Sequence, residues 1–360
     1  MAADYPARQT ALRRRISELG LDAMLVGYSP NIRYLTGFTG SAGQLVIHPD
    51  RTILVTDPRY AVQGPEETRG VAEVVVEGTN LWNRVRETLA LGGPIRFGFE
   101  RERVTVRDAE RLGGIEHADP VPAGGLVEEL RIVKDESEVA RIREAAGLAH
   151  EALDEVLPSI RPGQTELEVA ARLEAALRRR GSEWHPFQTI VASGPRSALP
   201  HARAGSRPLA GGDLLLVDFG AQVSGYSSDI TRTFVLGRAD SRQREVYQAV
   251  EAAQRTARER MLPGMSGREA DALARDVIAA RGFGAAFGHS LGHGLGLEVH
   301  EGPRLAVTAE ELLPAGAVVT VEPGIYLEGW GGVRLEDDIH LLPEGPRCLT
   351  DGRTELLELL

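Results

Sequence analysis

The chain contains very few of the residues that define several common protein classes. Cys348 is the only cysteine among 360 residues, which excludes an intrachain disulfide and a thiolate cage for a metal. Lys134 is the only lysine, so arginine supplies the other 40 of the 41 basic residues, a preference to which we attach no function. Any metal that this chain binds must therefore be held by oxygen atoms and imidazole.

Long apolar runs are also missing. No run approaches the ~18 apolar residues that span a bilayer, and the charged segment 1–20 lacks the apolar stretch of a secretory signal. With 52 acidic and 41 basic residues the formal net charge is −11. This charge argues against nucleic acid or an anionic membrane as a partner, because both require a basic face. We expect a soluble, cytoplasmic protein.

The length predicts two domains, at ~150 residues per domain. In the first third, short helix-like and strand-like segments alternate, which is typical of an α/β domain. The Pro- and Gly-rich segment 119–127 is interpreted as a linker, and a charged amphipathic helix is predicted over roughly 135–157. We therefore place the boundary near residue 127, which gives domains 1–127 and 128–360.

The second domain contains an internal repeat. Segments 162–181 and 263–282 align without gaps, and both are rich in alanine. Each opens with the Ser/Thr-x-x-Glu pattern of a capping box, at Thr165 and at Ser266, in which the side chain and the backbone satisfy each other's unpaired groups. Both segments are therefore predicted to be helices, and each stops at a glycine.

A second alignment brings in carboxylates. Segments 209–220 and 313–324 each form a glycine-containing turn and an apolar strand that ends in a carboxylate, and a second carboxylate follows 11 or 14 residues later. If each copy is a β-hairpin, its turn falls midway between its two carboxylates, at residues 223–225 and 328–330. The carboxylates of a pair then lie nearly opposite each other on adjacent strands. The two pairs are Asp218 with Asp229 and Glu322 with Glu336.

Four acidic groups that converge across a pseudo-twofold axis require cations, because even two close like charges raise one pKa strongly. Two divalent metals supply a charge of +4 against −4. Between the hairpins in sequence lie His289, His293 and His300, and the surrounding glycines favour strand and loop over helix. Three further acids are interpreted as solvated groups or as supports of the ligands: Glu298, Asp337 and Asp338.

Segments throughout the second domain resemble, in family order, the pita-bread metallopeptidases, which include prolidase (Xaa-Pro dipeptidase), aminopeptidase P, methionine aminopeptidase and the metal-free creatinase. Segments 31–43 and 56–60 resemble the creatinase-like N-terminal domain of prolidases and aminopeptidases P, which methionine aminopeptidase lacks. The resemblance implies an α/β N-terminal domain and an α+β pita-bread catalytic domain with an internal pseudo-twofold duplication. The matching segments of the second domain are 130–146, 193–202, 217–220, 228–234, 288–301, 321–326 and 333–338.

The resemblance also implies a dinuclear metal site and a hydrolytic mechanism. Mn²⁺ is the expected metal, with Co²⁺ and Zn²⁺ as alternatives, and a metal-bridging hydroxide is the expected nucleophile. Glu322 is expected to transfer the proton as base and then as acid. The ligands implied are Asp218, Asp229, His293, Glu322 and Glu336, and the histidines implied to line the pocket around the oxyanion are His201, His289 and His300.

The substrate implied is a small Xaa-Pro peptide. Arg304 resembles the position at which prolidases bind the substrate carboxylate, and Arg334 is a second candidate that supports the site. These features favour a dipeptidase over an aminopeptidase P that acts on longer peptides, while a non-catalytic binding protein of the same fold is a further alternative. The N-terminal domain is expected to limit substrate length, with loop 35–43 as a candidate wall, and to form a homodimer.

Overall fold

The chain divides into two units in the computed structural model, which describes residues 3–89, 94–352 and 354–359. The first unit ends at Arg131 and the second begins at Ile132. Within the described ranges, no helix is both long and apolar enough to cross a membrane.

The first unit is built on a mixed six-stranded sheet with the strand order β4-β3-β2-β1-β5-β6. The strands β1, β2 and β3 are antiparallel neighbours, whereas β4, β5 and β6 each pair in parallel. This arrangement confirms the predicted α/β class. The elements are α1 (Tyr5–Glu18), β1 (Ala23–Val26), α2 (Ser29–Thr36), β2 (Gly43–Ile47), β3 (Thr52–Thr56), α3 (Gln63–Glu67), β4 (Glu73–Val76), α4 (Leu81–Leu89), β5 (Ile95–Glu100), α5 (Val106–Gly113), β6 (Ala118–Ala123) and α6 (Glu128–Ile132).

The interpretation of segment 119–127 as a linker is wrong for its first half. Residues Ala118–Ala123 form β6, which pairs with β5 over six residues at the edge of the sheet. Pro120 and Pro122 lie in this strand. An edge strand tolerates proline because one side of its backbone needs no ladder hydrogen bonds. Because this strand lies at the edge of the sheet, its prolines do not indicate a loop.

The second unit contains a four-stranded sheet, β19-β11-β8-β7, and a five-stranded sheet, β13-β12-β14-β17-β18. Two further strand pairs, β9 with β10 and β15 with β16, extend the hairpins. The elements are α7 (Glu136–Val156), α8 (Glu166–Arg179), β7 (Ile190–Ser193), β8 (Leu214–Phe219), β9 (Gln222–Val223), β10 (Tyr226–Ser227), β11 (Ile230–Leu236), α9 (Ser241–Arg260), α10 (Gly267–Ala280), β12 (Gly292–Gly294), β13 (Glu301–Leu305), β14 (Val318–Val321), β15 (Gly324–Leu327), β16 (Gly331–Arg334), β17 (Asp337–Leu342), β18 (Gly345–Cys348) and β19 (Glu358–Leu359).

The predicted helices of the repeat begin where their caps indicate. Thr165 caps α8 and Ser266 caps α10, and in both cases the reciprocal capping box is complete. The helix predicted over roughly 135–157 is α7, which is capped by Asp135 in the same way. Cap chemistry depends on residues close in sequence, so these starts could be predicted without knowledge of the packing.

The internal duplication extends to the backbone hydrogen bonds. In the first half Gly163 N donates to Leu209 O at 2.8 Å, and in the second half Gly264 N donates to Leu313 O at 2.8 Å. One apolar core packs α7 and α8 against β8 and β11, and a second packs α9 and α10 against β14 and β17. The second unit is therefore an α+β domain with two structurally equivalent halves, as the repeat predicts.

Candidate metal centre and active site

Four carboxylates lie at corresponding ends of two hairpins, β8–β11 and β14–β17. Asp218 lies in β8 and Asp229 precedes β11, whereas Glu322 follows β14 and Glu336 precedes β17. All four line one cavity of about 490 Å³. The two halves of the second unit therefore present their acidic groups to the same space.

The second hairpin holds its glutamates in register. Val321 pairs with Asp337, so Glu322 and Glu336, one residue further along each strand, lie opposite each other. The turn of the extended hairpin falls at residues 328–330, as the spacing of the two glutamates predicts.

The first hairpin holds its aspartates in a shifted register. Asp218 pairs with Thr231, so Asp229 lies two residues beyond the partner of Asp218. The turn falls at Ser224 and Gly225, where both residues have positive φ. The position of the turn agrees with the prediction, while the two aspartates are offset along the strands.

His293 faces these carboxylates as a neutral imidazole. Its Nδ1–H donates to Gly294 O at 3.0 Å, and a carbonyl oxygen can only accept, so Nε2 carries the free lone pair. This Nε2 lies 3.4 Å from Glu322 Oε1 and 4.0 Å from Asp229 Oδ2. Burial lowers the pKa of His293 to about 4. Nε2 is therefore available as a ligand at neutral pH.

Glycines on both sides of His293 are required by the close approach of neighbouring strands. A Cβ at Gly292 would lie 2.0 Å from Thr320 O, and a Cβ at Gly294 would lie 1.9 Å from Gly302 O. His293 is part of a short strand, β12, with a register shift between His293 and Gly294. The prediction of strand and loop over helix in this segment is confirmed.

Burial and mutual repulsion disfavour the charged form of every carboxylate in the cluster. Burial raises the pKa of Asp218 and raises that of Glu322 to about 7. Burial, reinforced by the neighbouring carboxylates, raises the pKa values of Asp229 and Glu336 well above their ordinary range. A cluster with this electrostatic cost is stabilised by cations.

The donor set fits a divalent metal. Asp218 Oδ1 and Asp229 Oδ1 are buried and have no hydrogen-bond partner within the described residues. Possible ligand atoms of Asp229, His293 and Glu336 all lie within 4.8 Å of one another. Buried polar atoms are nearly always paired in folded proteins, so a cation is the partner that these oxygens lack.

Arg334 is buried and uses its guanidinium to hold the cluster. Nη2 donates to Asp218 Oδ2 at 2.5 Å, Nε donates to Thr231 Oγ1 at 3.0 Å, and Nη1 donates to Pro200 O at 3.1 Å. Thr231 Oγ1 in turn donates to Glu336 Oε2 at 2.5 Å. Arg334 lines the cavity, but its hydrogen bonds indicate a positioning role.

His289 has both ring nitrogens occupied by protein groups. Nδ1–H donates to Ser290 O at 2.8 Å, and Nε2 lies 2.9 Å from Tyr326 Oη. Arg334 Nη1 donates to the same hydroxyl at 2.8 Å, so the Tyr326 proton points to His289. Burial lowers the pKa of His289 to about 4. In this arrangement neutral His289 has no spare N–H for an oxyanion.

The other two predicted histidines also line the cavity. His201 is exposed in the turn after Pro200, and His300 is also exposed, with its ring centroid 4.3 Å from that of His293. Partial desolvation of the ring lowers the pKa of His300. The structure thus brings His201, His289 and His300 to the walls of the cavity that holds the carboxylates.

Arg304 lies outside the group of residues that line the cavity. It is in β13 and pairs with His293 across the sheet, but its side chain is exposed. The cavity instead contains a different exposed arginine, Arg203, which the sequence analysis did not single out. Glu298 does not line the cavity either.

Asp337 and Asp338 are both fully buried, so neither is a solvated group. Asp338 Oδ2 accepts from the backbone N–H of Asp229 at 3.1 Å and thus supports a predicted ligand. Asp337 accepts from Arg232 at 2.7 Å and from Arg258 at 2.8 Å. Asp337 therefore holds together β11 and α9, which carry these two arginines, and it is not among the residues that line the cavity.

Three hydroxyl groups in this site are not predicted from the sequence: those of Thr231, Thr320 and Tyr326. Thr320 Oγ1 lies 3.3 Å from Glu322 Oε1 and accepts from His293 N at 3.1 Å. The available signal was position, because Thr231 lies two residues after one predicted ligand and Thr320 two residues before another. Alternating strand residues share a face.

Comparison with known proteins identifies both units. The model of metallopeptidase family M24 matches residues 140–342, and that of the creatinase/prolidase N-terminal domain matches residues 8–133. The chain is 37% identical to the Xaa-Pro dipeptidase of Pyrococcus horikoshii, over 94% of this chain and 95% of that protein.

Solved structures agree with this assignment over the whole chain. An Xaa-Pro dipeptidase from Bacillus anthracis has a TM-score of 0.96 and 40% identity, covering 99% of this chain and 100% of that chain. An X-Pro aminopeptidase from Thermotoga maritima has a TM-score of 0.91 and 37% identity, covering 97% of this chain and 99% of that chain. With its creatinase-type N-terminal domain and its duplicated catalytic domain, this chain belongs to the metallopeptidase family M24.

Proposed function

We propose that this metallopeptidase is an Xaa-Pro dipeptidase with a dinuclear metal site. The observation that carries the proposal is the cluster of three buried carboxylates, the partly buried carboxylate of Glu322 and one neutral imidazole in a cavity of about 490 Å³. This volume is in the range of ordinary small-molecule sites, roughly 300–1,000 Å³, and suits a short peptide. The dipeptidases similar to this chain support the choice of substrate.

Five residues would hold the metal ions. An oxygen-rich donor set with one imidazole favours Mn²⁺, with Co²⁺ and Zn²⁺ as alternatives. The chemistry that two bound divalent ions supply is acidification of water, from a pKa of 15.7 towards ~7, and polarisation of a carbonyl. The proposed ligands are Asp218, Asp229, His293, Glu322 and Glu336.

The chain's own residues would then move protons and stabilise charge. Glu322 accepts a proton from the attacking water, whose oxygen forms the new bond to the carbonyl carbon before proline. The carbon–nitrogen bond breaks only when the nitrogen of this tertiary amide receives a proton, which Glu322 delivers. His201 and His300, which line the cavity, would donate to the developing oxyanion.

Other residues in this proposal act by position. Arg334 holds Asp218 and the carbonyl of Pro200, next to His201, and so couples a ligand to a wall of the cavity. His289, held by Tyr326 and Ser290, shapes the wall beside it. Arg304, exposed on β13, is the candidate carboxylate partner that the family resemblance implies.

The experiment that tests this function compares initial rates on Leu-Pro and Leu-Pro-Ala, with Mn²⁺ or with a chelator. We expect Mn²⁺-dependent hydrolysis with a preference for the dipeptide. A preference for Leu-Pro-Ala would make the protein an aminopeptidase P, a second candidate that its similarity to the Thermotoga maritima aminopeptidase favours. Absence of hydrolysis of both peptides by the Mn²⁺-loaded protein would contradict both assignments.

We also propose a role for the first unit. In a cytoplasmic homodimer, this unit would contribute to dimerisation and limit substrate length, with residues 35–43 as the candidate wall. Thr39 N donates to Glu67 at 2.8 Å and Ser41 N donates to Tyr60 Oη at 3.0 Å, which fixes the shape of this loop. Shortening the loop should increase hydrolysis of tripeptides. Unchanged tripeptide rates would place the length limit elsewhere.

A further inference from the structure

An ion pair on α10 faces the segment that connects this helix to β12. Asp271 is 1% exposed, and Arg275 donates to its carboxylate from Nε at 2.6 Å and from Nη2 at 2.9 Å. The two residues are four positions apart, so their side chains lie on the same face of the helix. Neither of them lines the cavity that holds the carboxylate cluster. Any effect of this pair on the reaction must therefore pass through other residues.

Both members of the pair hold the backbone of the connecting segment. Arg275 Nη1 donates to Phe287 O at 2.9 Å, and Nη2 donates to His289 O at 2.7 Å. Asp271 Oδ1 accepts from Leu291 N at 3.0 Å. These hydrogen bonds involve charged groups and are stronger than neutral ones. One ion pair thus fixes three backbone groups in a stretch of five residues.

Leu291 connects the pair to a proposed metal ligand. Its N–H donates to Asp271, and its carbonyl oxygen accepts from Glu322 N at 2.9 Å. Glu322 is the ligand to which the proposed mechanism assigns the proton transfer, and its Oε1 lies 3.4 Å from His293 Nε2. Because both backbone groups of Leu291 are used, a shift of this residue would move the backbone of Glu322 relative to the imidazole.

His289 connects the pair to a second proposed ligand. Its Nε2 accepts from the Tyr326 hydroxyl at 2.9 Å, and that hydroxyl accepts from Arg334 Nη1 at 2.8 Å. Arg334 also donates to Asp218. By bonding to His289 O, Arg275 fixes the residue at the start of this chain of hydrogen bonds. One ligand in each hairpin is therefore linked to the same ion pair.

The counterpart of α10 in the first half, α8, has different residues at the two positions. In the gapless alignment of these helices, Asp271 corresponds to Ala170, and Arg275 corresponds to Glu174. Ala170 belongs to the apolar core of the first half. The repeated helix thus packs without an ion pair at these positions, so the fold of the repeat does not require one. The pair occurs in the half that supplies His293.

We infer that Asp271 and Arg275 are positioning residues of the metal centre, which hold segment 287–291 and thereby keep Glu322 and Asp218 in place as ligands. This inference rests on the proposed function, which assigns these two carboxylates to the metal. Both residues act through the backbone of the segment and not by contact with the reacting atoms. Groups that orient metal ligands typically change metal affinity or activity by about 10- to 100-fold.

The test is Arg275→Met, which keeps an unbranched stem but removes every N–H donor of the guanidinium. Mn²⁺ affinity, measured by competition with a chelator, should fall roughly 10- to 100-fold. At saturating Mn²⁺, kcat for Leu-Pro should fall with little change in KM, because the pair does not touch the substrate. Arg275→Lys, the milder change, keeps the charge but not the fork of donors, and its Mn²⁺ affinity should lie between those of the other two proteins.

Arg207→Met is the matched control. Arg207 has a similar exposure to Arg275 and pairs with Asp213 at 2.6 Å, but Asp213 precedes β8, at the end away from Asp218. This variant should weaken the fold and leave Mn²⁺ affinity unchanged. Wild-type Mn²⁺ affinity in Arg275→Met would overturn the inference, and so would an equal loss of affinity in Arg207→Met, since general destabilisation would then be the cause.

Amide hydrogen exchange in the metal-free protein separates this inference from the proposed function, because it needs neither metal nor turnover. In Arg275→Met, the amides of Leu291 and Glu322 should exchange roughly tenfold faster or more, while that of Gly163, which donates to Leu209 O in the first half, should keep its rate. This result supports the inference even if the Mn²⁺-loaded wild type cleaves neither peptide. Unchanged exchange at both amides contradicts the inference and leaves the dipeptidase assignment intact.

Discussion

The two halves of the second unit share one scaffold but contribute unequally to the candidate metal site. Leu215 in β8 aligns with Val319 in β14. Leu215 pairs with Ser193, and Val319 pairs with Gly294. The position of His293, next to Gly294, therefore corresponds in the first half to Ala192. Where the second half has an imidazole, the first half has the smallest apolar side chain.

Ala192 belongs to a small apolar cluster with Ile190, Ala202 and Leu216, and it is fully buried. Leu216 corresponds in the alignment to Thr320, whose hydroxyl accepts from the backbone of His293. In the first half these positions therefore belong to the apolar core, and in the second half the corresponding positions hold the imidazole of His293. A duplicated backbone fixes where a ligand can be, while the side chains decide whether one is there.

The halves also support each other's ligands. Arg334, in the second half, donates to Asp218 in the first. Thr231, in the first half, donates to Glu336 in the second. Each half thus orients a carboxylate of the other, and neither half contains a complete set of supporting groups. The site depends on the assembled domain.

The largest expected effect follows from removing one ligand from either half. Loss of a group that merely supports a ligand costs about 10- to 100-fold in metal affinity or activity, so Asp229→Asn or Glu336→Gln should reduce kcat/KM by more than about 100-fold. Metal content by elemental analysis and turnover of Leu-Pro measure the effect. Asp276→Asn, an exposed carboxylate on α10, is the control. Full activity in either ligand variant would contradict the assigned set.

The second prediction breaks the contact between the halves. Thr231→Val keeps the shape of the side chain but removes the hydroxyl that Glu336 and Arg334 share. Metal affinity should fall roughly 10- to 100-fold, as measured by competition with a chelator. Thr233→Val, two residues along β11, removes a hydroxyl that bonds only to the backbone of Arg334. If both variants lose affinity equally, the orientation of Glu336 is not the cause.

The site's dependence on both halves explains how much of it the sequence could predict. Duplicated carboxylates and capping boxes follow from local patterns, since strand ends and helix starts depend on nearby residues. The contacts of Thr231 and Tyr326 depend on strands that meet only in the folded domain. The position of Arg203 on the cavity wall depends on the path of one loop, which residue spacing does not encode.

Local signals also failed where the position in a sheet outweighed them. Pro120 and Pro122 in a Gly-rich context predict a linker, yet they lie on an edge strand of the first unit. The α/β class of this unit could be predicted because alternating helix and strand segments persist over many residues. Whether a given strand lies at an edge is a property of the sheet topology, which a single sequence pattern does not reveal.

A third prediction concerns protons in the metal-free site. Burial raises the pKa of Glu322 to about 7, so its protonated form favours the folded state. The stability of the metal-free protein should therefore decrease as pH rises from about 4.5 through about 7. A metal must displace this proton and those that the raised pKa values favour on the neighbouring carboxylates Asp229 and Glu336, so metal affinity should fall at least about tenfold per pH unit below pH 7. Thermal unfolding of the chelated protein and metal titration at pH 6 and pH 7 measure both trends.

The pKa of His293 sets the lower limit of the pH range in which the carboxylates alone control the competition between protons and metal. Burial lowers its pKa to about 4, so the imidazole stays neutral over the same pH interval and does not compete with the metal. A metal affinity that is constant between pH 6 and pH 7 would show that Glu322 is already ionised in the metal-free protein. Proton release on metal binding, measured in two buffers of different ionisation enthalpy, distinguishes the two cases.

The smallest expected effect tests whether the halves remain energetically equivalent away from the site. Thr165 Oγ1 accepts from Glu168 N at 3.1 Å, and Ser266 Oγ accepts from Glu269 N at 3.2 Å. Because these caps have nearly identical geometry, Thr165→Ala and Ser266→Ala should each lower the free energy of unfolding by about 1 kcal/mol, as measured in urea. Thr308→Ala, in an exposed turn, should change it by less than about 0.5 kcal/mol.

Equal losses in the two cap variants would show that the duplication preserves the energetics of the scaffold as well as its shape. The unequal chemistry of the halves would then reside in a few side chains around β7 and β12. A loss confined to one cap would instead show that the halves differ in stability throughout. The absence of His293's counterpart would then be one difference among many.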